Sequence, residues 1–285
     1  MASLQSLRWL FGLLAALCLL APVLAEANVT AGCGKTPTLT SGQRTLTVNG
    51  KSRQWIIRLP SNYDKSKPHR LIFGLHWRDA DFKSVDTGSA PYYGLRALAG
   101  DSTIFIAPNG LNKGWANSGG EDVTLIDTIL QTVSEDLCID QNLIFSVGFS
   151  YGAAMSYSLA CSRPKVFRAV AVLSGALLSG CSGGTEPVAY YCQHGVRDSV
   201  LNISNGKQLR DNMLKRNGCQ AKTAQEPARN SKTHIKTEYS CNPGYPVTFV
   251  AFDEDHVALP KDSGGDGGAN SWTIPEVWKF FSQFT

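Results

Sequence analysis

The sequence predicts an α/β protein with a mostly parallel central sheet and helices on both faces. Three observations carry this. Short apolar runs alternate with segments of helical period along most of the chain. A β-hairpin signal precedes them, with Asn49-Gly50 at or near its turn. A serine flanked by glycines, Gly148-Phe149-Ser150-Tyr151-Gly152, stands where one apolar run gives way to a helical segment.

The N-terminal segment reads as a secretion signal rather than as fold. Arg8 precedes an uncharged apolar run, Trp9 to Ala21, too short to span a bilayer comfortably, and Val23-Leu24-Ala25 suits a signal peptidase. Cleavage after Ala25 leaves 260 residues. With no linker of biased composition and no repeat, residues 26–285 are expected to form a single domain, with 1–25 the signal peptide. No second long apolar run follows, so no membrane partner is expected.

The elements follow in order. RTLTVNGKSRQWIIRLP gives the hairpin, and LIFGLHW and TIFIAPNG are short buried strands. Val123, Ile126, Ile129, Leu130, Val133 and Leu137 recur at helical spacing over 121–137. LIFSV leads into the serine turn, and an Ala/Met/Leu-rich helix leaves it. RAVAVLSG and PVAYYCQHG are further strands, and NGKQLRDNMLKRNG is a polar-faced helix closed by Gly218. PVTFVAFDEDH is the last strand, and IPEVWKFFSQF is the closing helix, with proline in its first turn.

Net charge is +4, or +3 without Arg8, and the basic residues are scattered. That argues against nucleic-acid and membrane-surface roles. Of eight cysteines, Cys18 lies in the signal and seven remain, so secretion makes disulfides expected with one thiol left over. Cys219 and Cys241 bracket one polar loop and are the first choice for a bridge. Cys138 and Cys161 are placed where they could approach, with connectivity open. Asn28 and Asn202 head glycosylation sequons.

The serine pattern fits G-x-S-x-G in the strand–turn–helix context that a nucleophile elbow requires. Such a serine needs a base, and the base needs an orienting carboxylate. In this kind of sheet both follow the serine in the order acid, then histidine, at the C-terminal ends of strands. His69 lies at the wrong end, and His234 reads as solvated in a polar loop. His76 precedes the serine, and His194 reads as structural. His256, after the last strand, is the candidate base. Asp198, after PVAYYCQHG, is the candidate acid; Asp253 and Asp255 stand too near His256 in sequence to face its ring easily. The oxyanion donors are expected from the Tyr151 N–H and from the loop after LIFGLH, near Trp77 and Arg78. Trp77 and Trp115 are candidate substrate contacts, Trp115 because an indole in the polar loop NGLNKGWANSGG suits a pocket lining. Asp122 is expected to favour the first turn of the following helix.

HWRDAD, GWANSGGEDV, GFSYGAAMSYSLACSRPKVFRAVAVLSG, HGVRDSVLNIS and FDEDHVALP, in this order, resemble the secreted fungal feruloyl esterases of type C. Their carbohydrate-esterase family also holds acetylxylan esterases, and polyhydroxybutyrate depolymerases are similar. The resemblance spans essentially the whole mature chain. It implies an α/β-hydrolase fold and no metal or organic cofactor; the secreted chain is expected to be a monomer. It also implies release of hydroxycinnamic acids from plant cell-wall polysaccharides such as arabinoxylan and pectin. Ser150, Asp198 and His256 match the catalytic positions, and Cys192 is the candidate odd thiol. Asp79-Ala80 stand where the family carries Gly-Gly, which implies a stiffer oxyanion loop. An acetylxylan esterase, a depolymerase-like esterase and a non-catalytic carbohydrate-binding relative are the alternative readings.

Overall fold

The computed structural model describes residues 28–285; the expected signal peptide lies outside them. In chain order the elements are β1 (Gly42–Val48), β2 (Lys51–Arg58), β3 (His69–Leu75), α1 (Phe82–Thr87), α2 (Leu95–Ala99), β4 (Thr103–Pro108) and α3 (Glu121–Asp136). Then come β5 (Ile139–Phe149), α4 (Tyr151–Ser162), β6 (Ala169–Leu173), β7 (Ala189–Gly195), α5 (Ile203–Arg216), β8 (His234–Tyr239), β9 (Val247–Phe252) and α6 (Thr273–Ser282).

All nine strands form one sheet in the order β1-β2-β4-β3-β5-β6-β7-β9-β8. The six strands from β4 to β9 across the middle are parallel, while the pairings β1–β2, β2–β4 and β9–β8 toward the edges are antiparallel, so β2 and β8 run against the rest. The hairpin turns at Asn49 and Gly50, with Val48 opposite Lys51. Both turn residues have positive φ, at 50° and 73°, which Asn and Gly tolerate best.

The central strands are apolar on both faces because both are covered. Leu71, Phe73 and Leu75 face the core shared with α3, α4 and α5, through Ile126, Met155 and Leu209. Ile72, Phe105 and Ala171 face the other core, shared with α1, α2 and α6 through Val85, Leu95 and Phe281. The period of two thus sorts each strand between two layers. Helix α4 is buried all round, from Gly152 through Cys161, so it lacks a polar stripe.

Three expectations change. The polar stretch before Cys241 contains a strand, β8, which pairs antiparallel with β9 as an edge strand. Its first residue, His234, is not simply solvated: it stacks on Trp272 at 4.1 Å and bonds Asp262 at 2.8 Å. Cys219 does pair with Cys241, but Cys138 bonds Cys33 and Cys161 bonds Cys181. Thr30 and Gly32 bond Ile139 and Ser134, which brings Cys33 beside Cys138. The loop after β6 brings Cys181 to the end of α4. Cys192 is the one described cysteine outside a bridge; burial pushes its thiol pKa up and leaves it inert.

Candidate active site

Ser150 lies at the C-terminal end of β5, at φ 56° and ψ −115°. That is a costly conformation for a residue with a side chain, and the neighbours hold it there. Ser150 N–H donates to Leu173 O at 2.9 Å, and Ala154 N–H donates to Ser150 O at 3.0 Å. The flanking glycines are steric requirements. A Cβ on Gly148 would lie 2.3 Å from the Gly152 carbonyl carbon. A Cβ on Gly152 would lie 2.2 Å from Leu75 O and 2.6 Å from His76 O. Both obstacles are backbone, so neither can rotate away. Gly152→Ala is therefore expected to cost about 3 kcal/mol and most of the activity, read by thermal melts and turnover. A variant of wild-type stability would contradict this account of the motif.

Asp198 follows β7 and His256 follows β9, both at the same edge of the sheet as Ser150. His256 Nδ1 and Asp198 Oδ2 are 2.7 Å apart. The other carboxylate oxygen accepts the N–H groups of Val200 at 2.9 Å and Leu201 at 2.7 Å. His194 Nε2 donates to Leu201 O at 2.6 Å and reaches Asp198 Oδ2 at 3.2 Å, which makes it a support of this loop. Burial works against the Asp198 charge, but hydrogen bonds from His194, His256 and the Leu201 N–H outweigh it. The carboxyl is held well below the usual carboxylate range.

The rival acids are engaged elsewhere. Asp253 is buried against Arg197, at 2.9 Å, and accepts Lys232 N–H at 2.8 Å. Asp255 accepts from Ser199 and from His256 N–H, with its carboxylate toward the backbone rather than the ring. The His256 ring packs on Phe149, the residue before the serine, at 4.6 Å between centroids. Its Nε2 is buried and without a hydrogen-bond partner among the described residues. With Nδ1–H committed to Asp198, Nε2 carries a lone pair free to accept a proton.

Tyr151 opens α4, where helical geometry offers its N–H no acceptor. Trp77 N–H makes no hydrogen bond to a described residue either. The Trp77 ring is half-buried and meets Phe149 edge-on at 6.4 Å. Arg78 is exposed, and with Tyr151, Asn112, Lys113 and Glu121 it lines a cavity of about 320 Å³. Asp79, at the first of the two departures from the glycine pair, holds φ 64°. The loop takes its left-handed turn without glycine there.

Trp115 does not line the cleft. It has no exposed surface, its ring lies 4.7 Å from that of His76, and its Nε1–H donates to His76 O at 2.7 Å. Its polar setting satisfies that indole N–H and the loop backbone instead of a ligand. Asp122, expected only to favour a helix turn, is buried; it binds Arg53 at 2.6 Å and accepts Asn117 N–H at 2.9 Å. Sequence reasoning passed over His76 because it precedes the serine. The signal available was its place at the end of a buried strand, beside Trp77.

A serine at a strained strand–helix turn, backed by a carboxylate–imidazole pair on later strands, is the layout of the serine esterases of the α/β-hydrolase fold. Comparisons with known proteins agree with that class. The Phospholipase/Carboxylesterase family model matches residues 116–235. Feruloyl esterase D of Neurospora crassa is 47% identical over 92% of this chain and 93% of its own length. Feruloyl esterase C of Emericella nidulans is 47% identical over 88% of this chain and 90% of its own. The chain belongs to this family of fungal feruloyl esterases, and it is a serine carboxylic-ester hydrolase.

Two solved structures share the fold at low identity. An acetyl xylan esterase from Aspergillus awamori aligns with TM-score 0.59 at 16% identity, covering 85% of this chain and 99% of that one. A ferulic acid esterase from Anaeromyces mucronatus, in complex with ferulic acid, aligns with TM-score 0.57 at 17% identity, covering 86% and 90%. No helix among the described residues is long and apolar enough to cross a membrane.

Proposed function

We propose that Ser150, Asp198 and His256 are the triad of a secreted esterase that releases ferulate and related hydroxycinnamates from plant cell-wall polysaccharide. The observation that carries the chemistry is the Asp198–His256 pair at 2.7 Å, with the imidazole packed on Phe149, the residue that precedes the strained Ser150. Kinship with the feruloyl esterases supports the acyl group.

The reaction is a double displacement. His256 Nε2 takes the Ser150 proton as Oγ attacks the feruloyl carbonyl carbon. The tetrahedral oxyanion is met by the N–H groups of Tyr151 and Trp77. As it collapses, His256 returns the proton to the departing sugar oxygen and the feruloyl-serine ester remains. Water, deprotonated by His256, attacks that ester, and ferulate leaves as Ser150 is reprotonated. Asp198 keeps its charge throughout and stabilises the imidazolium.

An aromatic acyl group also needs apolar surface. Leu177, Leu178 and Val200 are three of the five large apolar side chains left exposed in the described protein, at 49%, 44% and 65%. All three follow β6 or β7 at the end of the sheet where Ser150 lies, and the half-buried Trp77 ring adds to them. In this reading residues 1–25 direct secretion, residues 26–285 act as one monomeric domain, and the exposed Asn28 and Asn202 carry glycans.

Initial rates on methyl ferulate, an acetylated xylan and a short aliphatic ester test the proposal. A preference for methyl ferulate is expected. Activity confined to acetyl esters would keep the triad and overturn the acyl assignment.

A further inference from the structure

Each of the two peptide planes beside the proposed oxyanion position is held by a buried aromatic side chain. Trp115 Nε1–H donates to His76 O at 2.7 Å. That carbonyl shares a plane with Trp77 N–H, and across a trans peptide the two point in opposite directions. The indole therefore fixes the direction in which Trp77 N–H points. The next plane carries Trp77 O and is held by the His76 ring itself, with Nδ1 2.8 Å from that oxygen. A carbonyl only accepts, so Nδ1 carries the proton; Nε2 then accepts Gly110 N–H at 3.0 Å. His76 is fully buried and its burial lowers its pKa, which suits the neutral ring that these two bonds require.

The arrangement is braced on every side. The elbow backs directly onto it, since a Cβ on Gly152 would meet Leu75 O and His76 O. The Trp115 ring lies on the His76 ring at 4.7 Å, and Ser179 Oγ donates to Trp115 O at 2.6 Å. Ser179 O in turn accepts from Asn117 Nδ2 at 3.0 Å and Ser158 Oγ at 3.1 Å. The Cys161–Cys181 bridge fastens the same loop to the end of α4. The loop after β4, the loop after β6 and the elbow helix thus converge on one peptide.

We infer that Trp115 and His76 are positioning residues for the oxyanion hole: they aim Trp77 N–H at the developing oxyanion without touching substrate. The inference rests on the proposed role of Ser150. A donor that is preorganised contributes only where charge develops, so loss of its aim falls on kcat rather than on ground-state binding.

Trp115→Phe keeps an aromatic ring over His76 and removes the N–H. Its kcat on methyl ferulate is expected to fall about 10- to 100-fold, with KM within about twofold. Affinity for 2-phenylethylboronic acid, which forms a tetrahedral adduct on the serine, falls by a similar factor while affinity for ferulate does not change. His76→Asn keeps a donor where Nδ1 stands, and His76→Leu removes it. His76→Asn is expected to retain at least about tenfold more kcat than His76→Leu.

A folded Trp115→Phe with wild-type kcat overturns the inference, as does equal weakening of boronate and ferulate. Where Trp115→Phe does not fold, equal kcat in the two His76 variants overturns it. Ser150→Ala separates the two levels. If Ser150→Ala is inactive while the Trp115 and His76 variants behave as wild type, only the positioning role falls; if Ser150→Ala keeps full turnover, the serine reading falls and this inference with it.

Discussion

Ser150→Ala is expected to lower kcat on methyl ferulate by at least about 10⁴-fold while the protein stays folded. The attacking oxygen is lost, and water must then react without a covalent intermediate. Stability should barely move. The strain at φ 56° belongs to the backbone, and alanine inherits it. The bonds that impose it, to Leu173 O and from Ala154 N–H, are main-chain and survive. The check is single-turnover rate together with a thermal melt. Wild-type turnover in a folded variant would remove Ser150 from the chemistry. Inactivity with a much lower melting temperature would show that the hydroxyl is structural.

Asp198→Asn is the second large effect, expected at about 10³- to 10⁴-fold in kcat. The amide can donate where the carboxylate accepted. His256 Nδ1–H then loses its 2.7 Å acceptor, and the other tautomer, which cannot take the serine proton, becomes competitive. The loop should keep its shape, because the amide oxygen can still accept from Val200 and Leu201 N–H.

The same residue gives a pH prediction. The folded carboxyl is held below its ordinary value of about 4. Asp198 therefore contributes stability that is fully present above about pH 4 and is lost as pH falls below it. Melts of the wild type should drop over that acid range. Asp198→Asn should melt lower at neutral pH and lose less on acidification. Parallel curves for the two proteins would show that the carboxylate is not held in this way.

The sequence alone determined the architecture, and much of the candidate site, because both rest on local patterns. Apolar runs, turn residues and helical spacing gave eight of the nine strands and helices α3 to α6. Strand β8 escaped because HIKTEY is a polar edge strand, and its register is visible only against β9. The short α1 and α2 lie in a connection that lacks a periodic signal. Ser150, Asp198 and His256 could be named from order because the fold places successive strand ends along one edge.

What only the tertiary structure decided depends on chain segments far apart in sequence. Cys33 meets Cys138 because the N-terminal segment runs alongside α3 and β5. Asp253 and Asp255 are excluded by partners at Arg197 and Ser199, which adjacency to His256 hides. Trp115 gave the misleading signal: its polar neighbours suggested a ligand, but the indole N–H is satisfied by the carbonyl of His76, 39 residues earlier. A side chain's local sequence records its neighbours along the chain. Its hydrogen-bond partner is chosen by packing, and packing exists only once β3 and the loop after β4 lie side by side.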